Sequence, residues 1–448
     1  MRIKPSIPKG MRDFSAEIIA KRNYIFDTVK QIFECYSYTP IETPAMENMN
    51  TLTGKYGEEG DKLIFKILNS GDYLSKTKLD GNITSQKLTP DISAKALRYD
   101  LTVPFARYVA QNRNNITFPF KRYQMQKVWR ADKPQKGRFR EFSQCDADVI
   151  GTTSLLCEVE LVQIYDDVFT KLNIPRINIR LNNRKVLSGM IELMEATNKF
   201  NDVISILDKI NSIGFDKAIL LLSNKGISNK GIDIFKEFVD IKEITKLSTL
   251  LSNSKLGSEG VRELEFIAET ISNIGLKSST LKLDTSLARG LDYYTGTILE
   301  VQVEDIEIGS IGGGGRYDDL TGIFSLNDVS GVGISFGIDR IYLVMEELNC
   351  FPSEISKKTK LMFTNLGKKE VNYCLTLLRK FRDANIASEI YPQEVKLKKQ
   401  MEYANKKGIE FVVIVGDDEI NSGVLTVKDM NSGEQKKMIV EDLITRFI

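Results

Sequence analysis

Val128-Trp-Arg-Ala-Asp-Lys-Pro-Gln-Lys-Gly-Arg138 lies between two extended segments that together run from Phe118 to Gly151. Pro134 and Gly137 mark a polar turn, and the whole predicts a long antiparallel hairpin. Within it, Lys121–Arg140 carries eight positive residues (Lys121, Arg122, Lys127, Arg130, Lys133, Lys136, Arg138, Arg140) against one acid, Asp132. A charge run alone is ordinarily a solvated face. Here Trp129 and Phe142 lie among the guanidinium groups, with Asp146 just beyond. Such a set can stack on and hydrogen-bond a purine, while guanidinium forks grip phosphate oxygens.

Upstream, Ser15 is a plausible N-cap for a helix over Ser15–Tyr36, where Ile18, Ile25, Val29, Ile32 and Phe33 recur at helical spacing. Tyr38–Pro44 reads as extended, and Pro40 and Pro44 confine it to an edge or an interface. Asp72–Ser93 turns polar, which suggests a mobile loop or insertion. Downstream, 184–278 shows helical patterns broken by Gly214, Gly226, Gly231 and Gly257, and reads as a mostly helical inserted domain. Strand-like text resumes at Leu281 and continues to Gly337, before a helix near Ile338. After Pro352, strands at Leu361–Asn365, Ala387–Tyr391 and Phe411–Val415 alternate with helices at Lys368–Asp383 and Val395–Lys407. That alternation predicts a small α/β domain with parallel pairing.

A chain of 448 residues is long enough for two or three domains. Lys+Arg is 62 against Asp+Glu 60, which excludes a bulk polycation, so any nucleic-acid contact must come from local patches. No apolar run is long enough to span a bilayer, and no apolar block follows the first basic residues as in a signal peptide. Five scattered cysteines without a C-x-x-C pair read as reduced thiols of a cytosolic protein. The histidine count is zero, which removes His-dependent triads, imidazole acid–base catalysis and His-containing zinc sites. The chemistry must run on carboxylates, Arg, Lys, Tyr and backbone dipoles, and no metal site built from protein ligands is identified.

Three further pieces stand out. Gly331-Val-Gly-Ile-Ser-Phe-Gly-Ile-Asp-Arg340 is a glycine-spaced strand entering a helix, with Arg340 at its start. Its spacing is not that of a dinucleotide-binding turn. Leu287-Ala-Arg-Gly-Leu-Asp-Tyr-Tyr-Thr-Gly296 is followed by Gly312-Gly-Gly-Gly-Arg-Tyr-Asp318. If Tyr293 and Tyr294 are on a strand they face opposite sides, so only one enters a given pocket. Arg98-Tyr-Asp-Leu-Thr-Val-Pro104 places Asp100 and Thr102 on one face of an extended segment, which fits a cationic amine and equally a buried satisfied pair.

In this order, the pieces resemble the histidyl-tRNA synthetases, class II aminoacyl-tRNA synthetases, over essentially the whole chain. The first helix with Ile41-Glu-Thr-Pro44 resembles class II motif 1, Phe120–Gly151 motif 2, and Gly331–Arg340 motif 3. Ala288–Gly296 and Gly313–Asp318 are similar to the two histidine-specific signatures. The resemblance implies an α+β catalytic domain on an antiparallel sheet, in two parts at 1–183 and 279–350. It implies a helical insertion at 184–278 and a C-terminal α/β anticodon-binding domain at 357–448. It also implies ATP-dependent activation of L-histidine and transfer to the 3′ end of its tRNA, with Mg²⁺ accompanying ATP, by a cytoplasmic homodimer.

By matching positions, Arg130 and Arg289 would be catalytic, Arg130 on the α-phosphate and the histidine carboxylate and Arg289 on charge at the α-phosphate. Arg138 and Arg340 would hold the outer phosphates, Phe142 and Arg340 the adenine ring, and Asp132 its amino edge. Asp100, Thr102 and Gln144 would hold the α-amino group. Asp148 and Tyr294 would read the imidazole nitrogens, with Tyr293 beside them. Gln135, Lys136 and Arg140 would meet tRNA. Asp132 replaces the more usual Glu of motif 2, Asp100 and Asp148 are shorter than the Glu of many bacterial members, and Ser143 and Ala131 stand where some members carry His. The rival reading is an inactive synthetase-like regulatory or tRNA-sensing protein. The C-terminal domain and the retained Arg130, Arg289 and Arg340 argue against it.

Overall fold

The Ser15 hydroxyl accepts from the Ile18 N–H at 3.4 Å and caps helix α1, Ala16–Cys35. One stripe of α1, including Ile25, Val29, Ile32 and Phe33, is buried against the main sheet. In this computed structural model the described residues are 4–54, 57–75, 77, 84–290, 293–353, 355 and 359–447, with 57–59 described by backbone only. They form two compact units that meet in sequence at Pro352–Ser353.

In the first unit the chain leaves α1 and lays β1, Thr39–Pro40, beside β2, Phe120–Trp129. Pro40 cannot donate to a ladder, and β1 lies at the sheet's edge, as expected for it. β2 pairs with β3, Glu141–Ile150, in a ten-residue antiparallel hairpin from Phe120↔Ile150 to Trp129↔Glu141. The remaining strands are β4 (Ile177–Asn183), β5 (Thr280–Leu283), β6 (Thr297–Val303), β7 (Gly312–Tyr317) and β8 (Gly331–Gly337). The order is β1-β2-β3-β8-β7-β6-β4-β5, antiparallel throughout except for the two parallel edge pairs.

Strand periodicity divides this sheet into two chemistries. On β3, Cys145, Ala147 and Val149 enter the core shared with α1 and with α2, Leu156–Lys171. Gln144, Asp146 and Asp148 alternate with them and face the other way, into a cavity. On β8, Val332, Ile334 and Phe336 belong to the core, and Phe336 meets Tyr165 of α2 edge-on at 4.9 Å. The helices from Arg184–Leu193 to Lys255–Ile274 bury side chains such as Val203, Leu207 and Leu264 in a core continuous with the sheet's.

The polar stretch 72–93 contains residues 76 and 78–83, which lie outside the described residues. Of the rest, Ser85–Ile92 is a helix capped by Thr84 rather than a loop. Strands Met46–Asn48, Lys66–Ile67 and Lys95–Leu97 form a separate small sheet.

In the second unit, Ser388–Ile390, Leu361–Phe363 and Phe411–Ile414 pair in parallel, as the alternation predicts. Val424–Asp429 and Gln435–Ile439 extend the sheet antiparallel. Gln435–Ile439 escapes the sequence reading because it is mostly exposed and has no apolar alternation.

On the core side of β7, Arg316 forks onto Glu158 of α2 through Nε–Oε1 at 2.6 Å and Nη2–Oε2 at 2.7 Å, with both side chains buried. Nη1 donates to the Ser330 hydroxyl at 2.6 Å, so the guanidinium is well satisfied. Removing one partner of such a pair strands a buried charge, whereas replacing both with apolar groups does not. Glu158→Ala should destabilise the first unit by about 3–5 kcal/mol, read as a lower urea midpoint. The double variant Arg316→Met/Glu158→Leu should recover most of that loss.

Candidate active site

The cavity, about 280 Å³, lies on the polar face of β3, β7 and β8. One end is acidic. Asp146 and Asp148 are two residues apart on β3 and so share a face, and Asp100 joins them from the loop before the helix Thr102–Asn112. Antiparallel register puts Arg122 of β2 directly opposite Asp148. Arg122 is fully buried; its Nη2 lies 2.8 Å from Asp148 Oδ2, and its guanidinium lies 4.0 Å over the Phe105 ring. The Tyr317 hydroxyl donates to Asp148 Oδ1 at 2.6 Å. Asp148 fits beneath β8 because residue 333 is glycine: a Cβ there would stand 2.0 Å from Asp148 Oδ1.

Burial pushes the Asp148 carboxyl up from its ordinary value, against the pull of Arg122 and Tyr317. Burial also pushes Asp146 up, to about 7; Asp148 and Asp100 add to that shift, and Arg122 and the Ser335 hydroxyl oppose it. Asp146 Oδ1 and Gln144 Oε1 are buried without a hydrogen-bond partner, and both residues line the cavity. Orphaned polar atoms on a cavity wall are demand for a polar ligand.

The other end is cationic, lined by Arg130, Arg138, Arg289 and Arg340. Arg130 leaves the end of β2; its Nε donates to the Tyr99 carbonyl at 3.0 Å, and its guanidinium lies 4.2 Å from the Tyr99 ring centroid and 5.3 Å from that of Phe142. Arg340, in the first turn of the helix Ile338–Glu347, donates to the carbonyls of Ser310 at 2.7 Å and Gly137 at 3.2 Å. Burial lowers its pKa, and the charges of Arg289 and Arg138 lower it further. Arg289 Nη1 donates to the Gly312 carbonyl at 3.2 Å and lies 3.6 Å from Glu300. Arg138 and Asp132 are 3.9 Å apart. Guanidinium groups that repel one another around a cavity create a site for a polyanion.

Asp100, Thr102, Arg130, Asp132, Arg138, Phe142, Gln144, Asp148, Arg289, Tyr293, Tyr294 and Arg340 all line this one cavity. Two local expectations are corrected. Tyr293 and Tyr294 are not on a strand: both backbone N–H groups turn back to the Gly290 carbonyl, Gly290 has φ +70°, and both rings line the cavity with centroids 4.4 Å apart. Leu291 and Asp292 lie outside the described residues. Asp100 and Thr102 are not on an extended segment either. Thr102 opens a helix, and Asp100 Oδ1 accepts from the Val103 N–H at 3.2 Å.

Gln135, Lys136 and Arg140 do not line the cavity. Gln135 closes the hairpin tip through two backbone hydrogen bonds with Arg138, around Gly137 at φ +73°. Lys136 is exposed and 3.3 Å from Glu347, and Arg140 Nε donates to the Asp132 carbonyl.

Sequence reasoning gives Tyr317 and Asp339 no site role, counts Arg122 only among the hairpin's positive charges, and sets Asp146 with a purine-binding group rather than beside Asp148. Strand alternation from Gln144 to Asp148 was enough to bring Asp146 into the cavity, and counting pairs back from the hairpin tip finds Arg122. No local signal marks Asp339. It ties the helix Ile338–Glu347 to Arg12 and Arg22, each at 2.5 Å, and accepts from the Ser143 N–H.

A family model for histidyl-tRNA synthetase matches residues 10–341, and one for an anticodon binding domain matches 359–448. Among curated proteins the chain is similar to the histidine--tRNA ligase of Christiangramia forsetii, 54% identical and covering 98% of each chain. That of Phocaeicola vulgatus is 52% identical over 99% of each. Among solved structures, histidyl-tRNA synthetase from Nostoc sp. PCC 7120 superposes with TM-score 0.82 at 32% identity, with both chains covered completely.

The Asp146 shift has a thermodynamic signature. Between about pH 4 and 7 the folded state keeps a proton on Asp146 that the unfolded state has lost, so stability falls as pH rises through that window. Relative to Asp146→Asn, the wild type should lose roughly 1.4 kcal/mol per pH unit there and nothing further above it. Urea midpoints of the two proteins across pH 4–9 measure this.

Proposed function

The chain belongs to the histidyl-tRNA synthetase family, and from that premise we propose how its residues divide the work of a histidine--tRNA ligase. The enzyme activates histidine with ATP to the adenylate and transfers the histidyl group to tRNA. One observation carries the residue assignment: an acidic end and a four-guanidinium end share a single cavity. An amino acid brings an ammonium group and ATP brings phosphates, so the two reactants sort themselves by charge.

At the acidic end, Asp100, Thr102 and Gln144 take the α-ammonium group. Neutral imidazole offers one donor and one acceptor. Asp148 accepts from the ring N–H and Tyr294 donates to the other nitrogen, with Tyr293 closing the wall. A side chain lacking either nitrogen leaves one of these buried groups unpaired, which is worth about 10⁴ in discrimination. At the cationic end, Phe142 and Arg340 enclose adenine, Asp132 meets its amino edge, and Arg138 and Arg340 hold the outer phosphates. Arg130 spans the α-phosphate and the histidine carboxylate.

The histidine carboxylate attacks the α-phosphorus and pyrophosphate leaves, so negative charge builds on the α-phosphoryl oxygens. Arg289 and Arg130 stabilise that charge, the kind of preorganised electrostatic stabilisation that needs no imidazole base. Among the described residues no group of three carboxylate, cysteine or histidine side chains is placed to hold a metal ion. Mg²⁺ belongs to the proposal as an ion carried by the phosphates of ATP. Gln135, Lys136 and Arg140, at and beside the exposed hairpin tip, meet the tRNA acceptor end. Motif 1 supports a homodimer. A cytoplasmic location, where tRNA is charged, completes the reading. Among the described residues no helix is long and apolar enough to cross a membrane.

The domain division we propose is a catalytic domain at 1–183 and 279–350, the helical insertion 184–278 and the anticodon-binding domain 357–448. The similarity to full-length ligases and the intact guanidinium set favour the enzyme over an inactive sensor.

ATP–pyrophosphate exchange with each of the twenty amino acids should proceed with histidine alone; exchange with another amino acid, or with none, would sink the pocket assignment. Arg289→Ala should lower kcat roughly 10²–10³-fold and leave the KM for histidine within about threefold. Lys136→Ala should weaken tRNA charging, in a salt-dependent way, more than exchange.

A further inference from the structure

The proposed imidazole reader, Asp148, does not stand by itself. Arg122 is absent from the cavity wall yet fully buried behind it, held between the Phe105 ring at 4.0 Å and Asp148 Oδ2 at 2.8 Å. Tyr317 occupies Oδ1 from β7, and Gly333 leaves the carboxylate just enough room under β8. Tyr317 holds Oδ1 by a hydrogen bond, and Arg122 faces Oδ2 as a buried ion pair whose geometry makes no hydrogen bond. We propose that Arg122 is a positioning residue for histidine recognition: through its ion pair it keeps Asp148 ionised and aimed at the imidazole N–H. This rests on the reading of Asp148 given above.

The balance of charge supports the assignment. The groups facing Asp148 are Arg122 from β2 and Tyr317 from β7, with Asp146 on its own strand. Those facing Asp146 are Arg122, Ser335, Asp148 and Asp100. One guanidinium serves two neighbouring carboxylates. Burial raises both carboxyls, Asp146 to about 7, and the Arg122 charge lowers both.

The experiment is the pH profile, from 6 to 9, of the KM for histidine and of kcat in ATP–pyrophosphate exchange. Wild type, Arg122→Lys, Arg122→Leu, Asp146→Asn and Asp148→Asn are compared, with wild type correcting for the titration of histidine itself. Loss of an adjacent guanidinium raises a carboxyl by about 1–3 units. Arg122→Leu should therefore gain an acid limb in which the KM for histidine rises about tenfold per pH unit fall, while the KM for ATP stays within about twofold. Arg122→Lys, which keeps the charge, should restore most of the profile. Asp146→Asn is isosteric and keeps the test open if the Arg122 variants do not fold. It should shift any acid limb to lower pH by about 1 unit. Profiles of the Arg122 variants and of Asp146→Asn that superimpose on wild type, or equal losses in the KM for histidine and for ATP, would overturn the inference while leaving the pocket assignment intact. An Asp148→Asn enzyme with unchanged KM for histidine would overturn the assignment itself, and the inference with it.

Discussion

The two-residue period of β3, Glu141–Ile150, is the constraint on which the catalytic unit depends. A strand at the centre of a sheet has two faces and no other choice. Cys145, Ala147 and Val149 must meet α1 and α2, so Gln144, Asp146 and Asp148 must face away from them. A slip of one residue would put three polar groups into the core and three apolar ones into the cavity. The ten-residue pairing with β2 and the seven-residue pairing with β8 hold that register from both sides.

Once register is set, glycine decides depth. The strands β7 and β8 carry glycine where a functional side chain passes close by. At Gly313 a Cβ would stand 1.9 Å from Arg289 Nη1, and at Gly333 it would meet the Asp148 carboxylate. A sheet with ordinary side chains at those places would fill its own cavity. Glycine at those places leaves room over the sheet, and charges arriving from separate elements line it. The acids come from β3 and the Asp100 loop, and the guanidinium groups come from the end of β2, the hairpin tip, the segment before β6 and the helix after β8.

The hairpin, α1, the edge strand, the helical stretch and the parallel strands of the second unit were legible because each has a periodicity or a breaker that acts locally. The Tyr293–Tyr294 turn was not. Adjacent tyrosines look like strand residues, and only Gly290 in a left-handed conformation swings both rings to one side. The helix beginning at Thr102 was missed because Arg98–Pro104 reads as extended, with Asp100 and Thr102 on one face, whereas Asp100 Oδ1 accepts from the Val103 N–H in the first turn of that helix. The exposed strand Gln435–Ile439 carries no pattern, because its pairing with Val424–Asp429 is made by the backbone.

By itself the sequence determined the family and picked out most of the side chains that the structure gathers in one cavity. Motif spacing, the absence of histidine and the run of guanidinium groups all act through identity and local order, which a linear text preserves. Only the tertiary structure decided which residues support them. Arg122 opposes Asp148 through a ladder closed 26 residues apart in sequence. Asp339 secures its helix through Arg12 and Arg22, more than 300 residues away. The energies of such contacts depend on burial and distance, and these exist only once the chain has closed on itself.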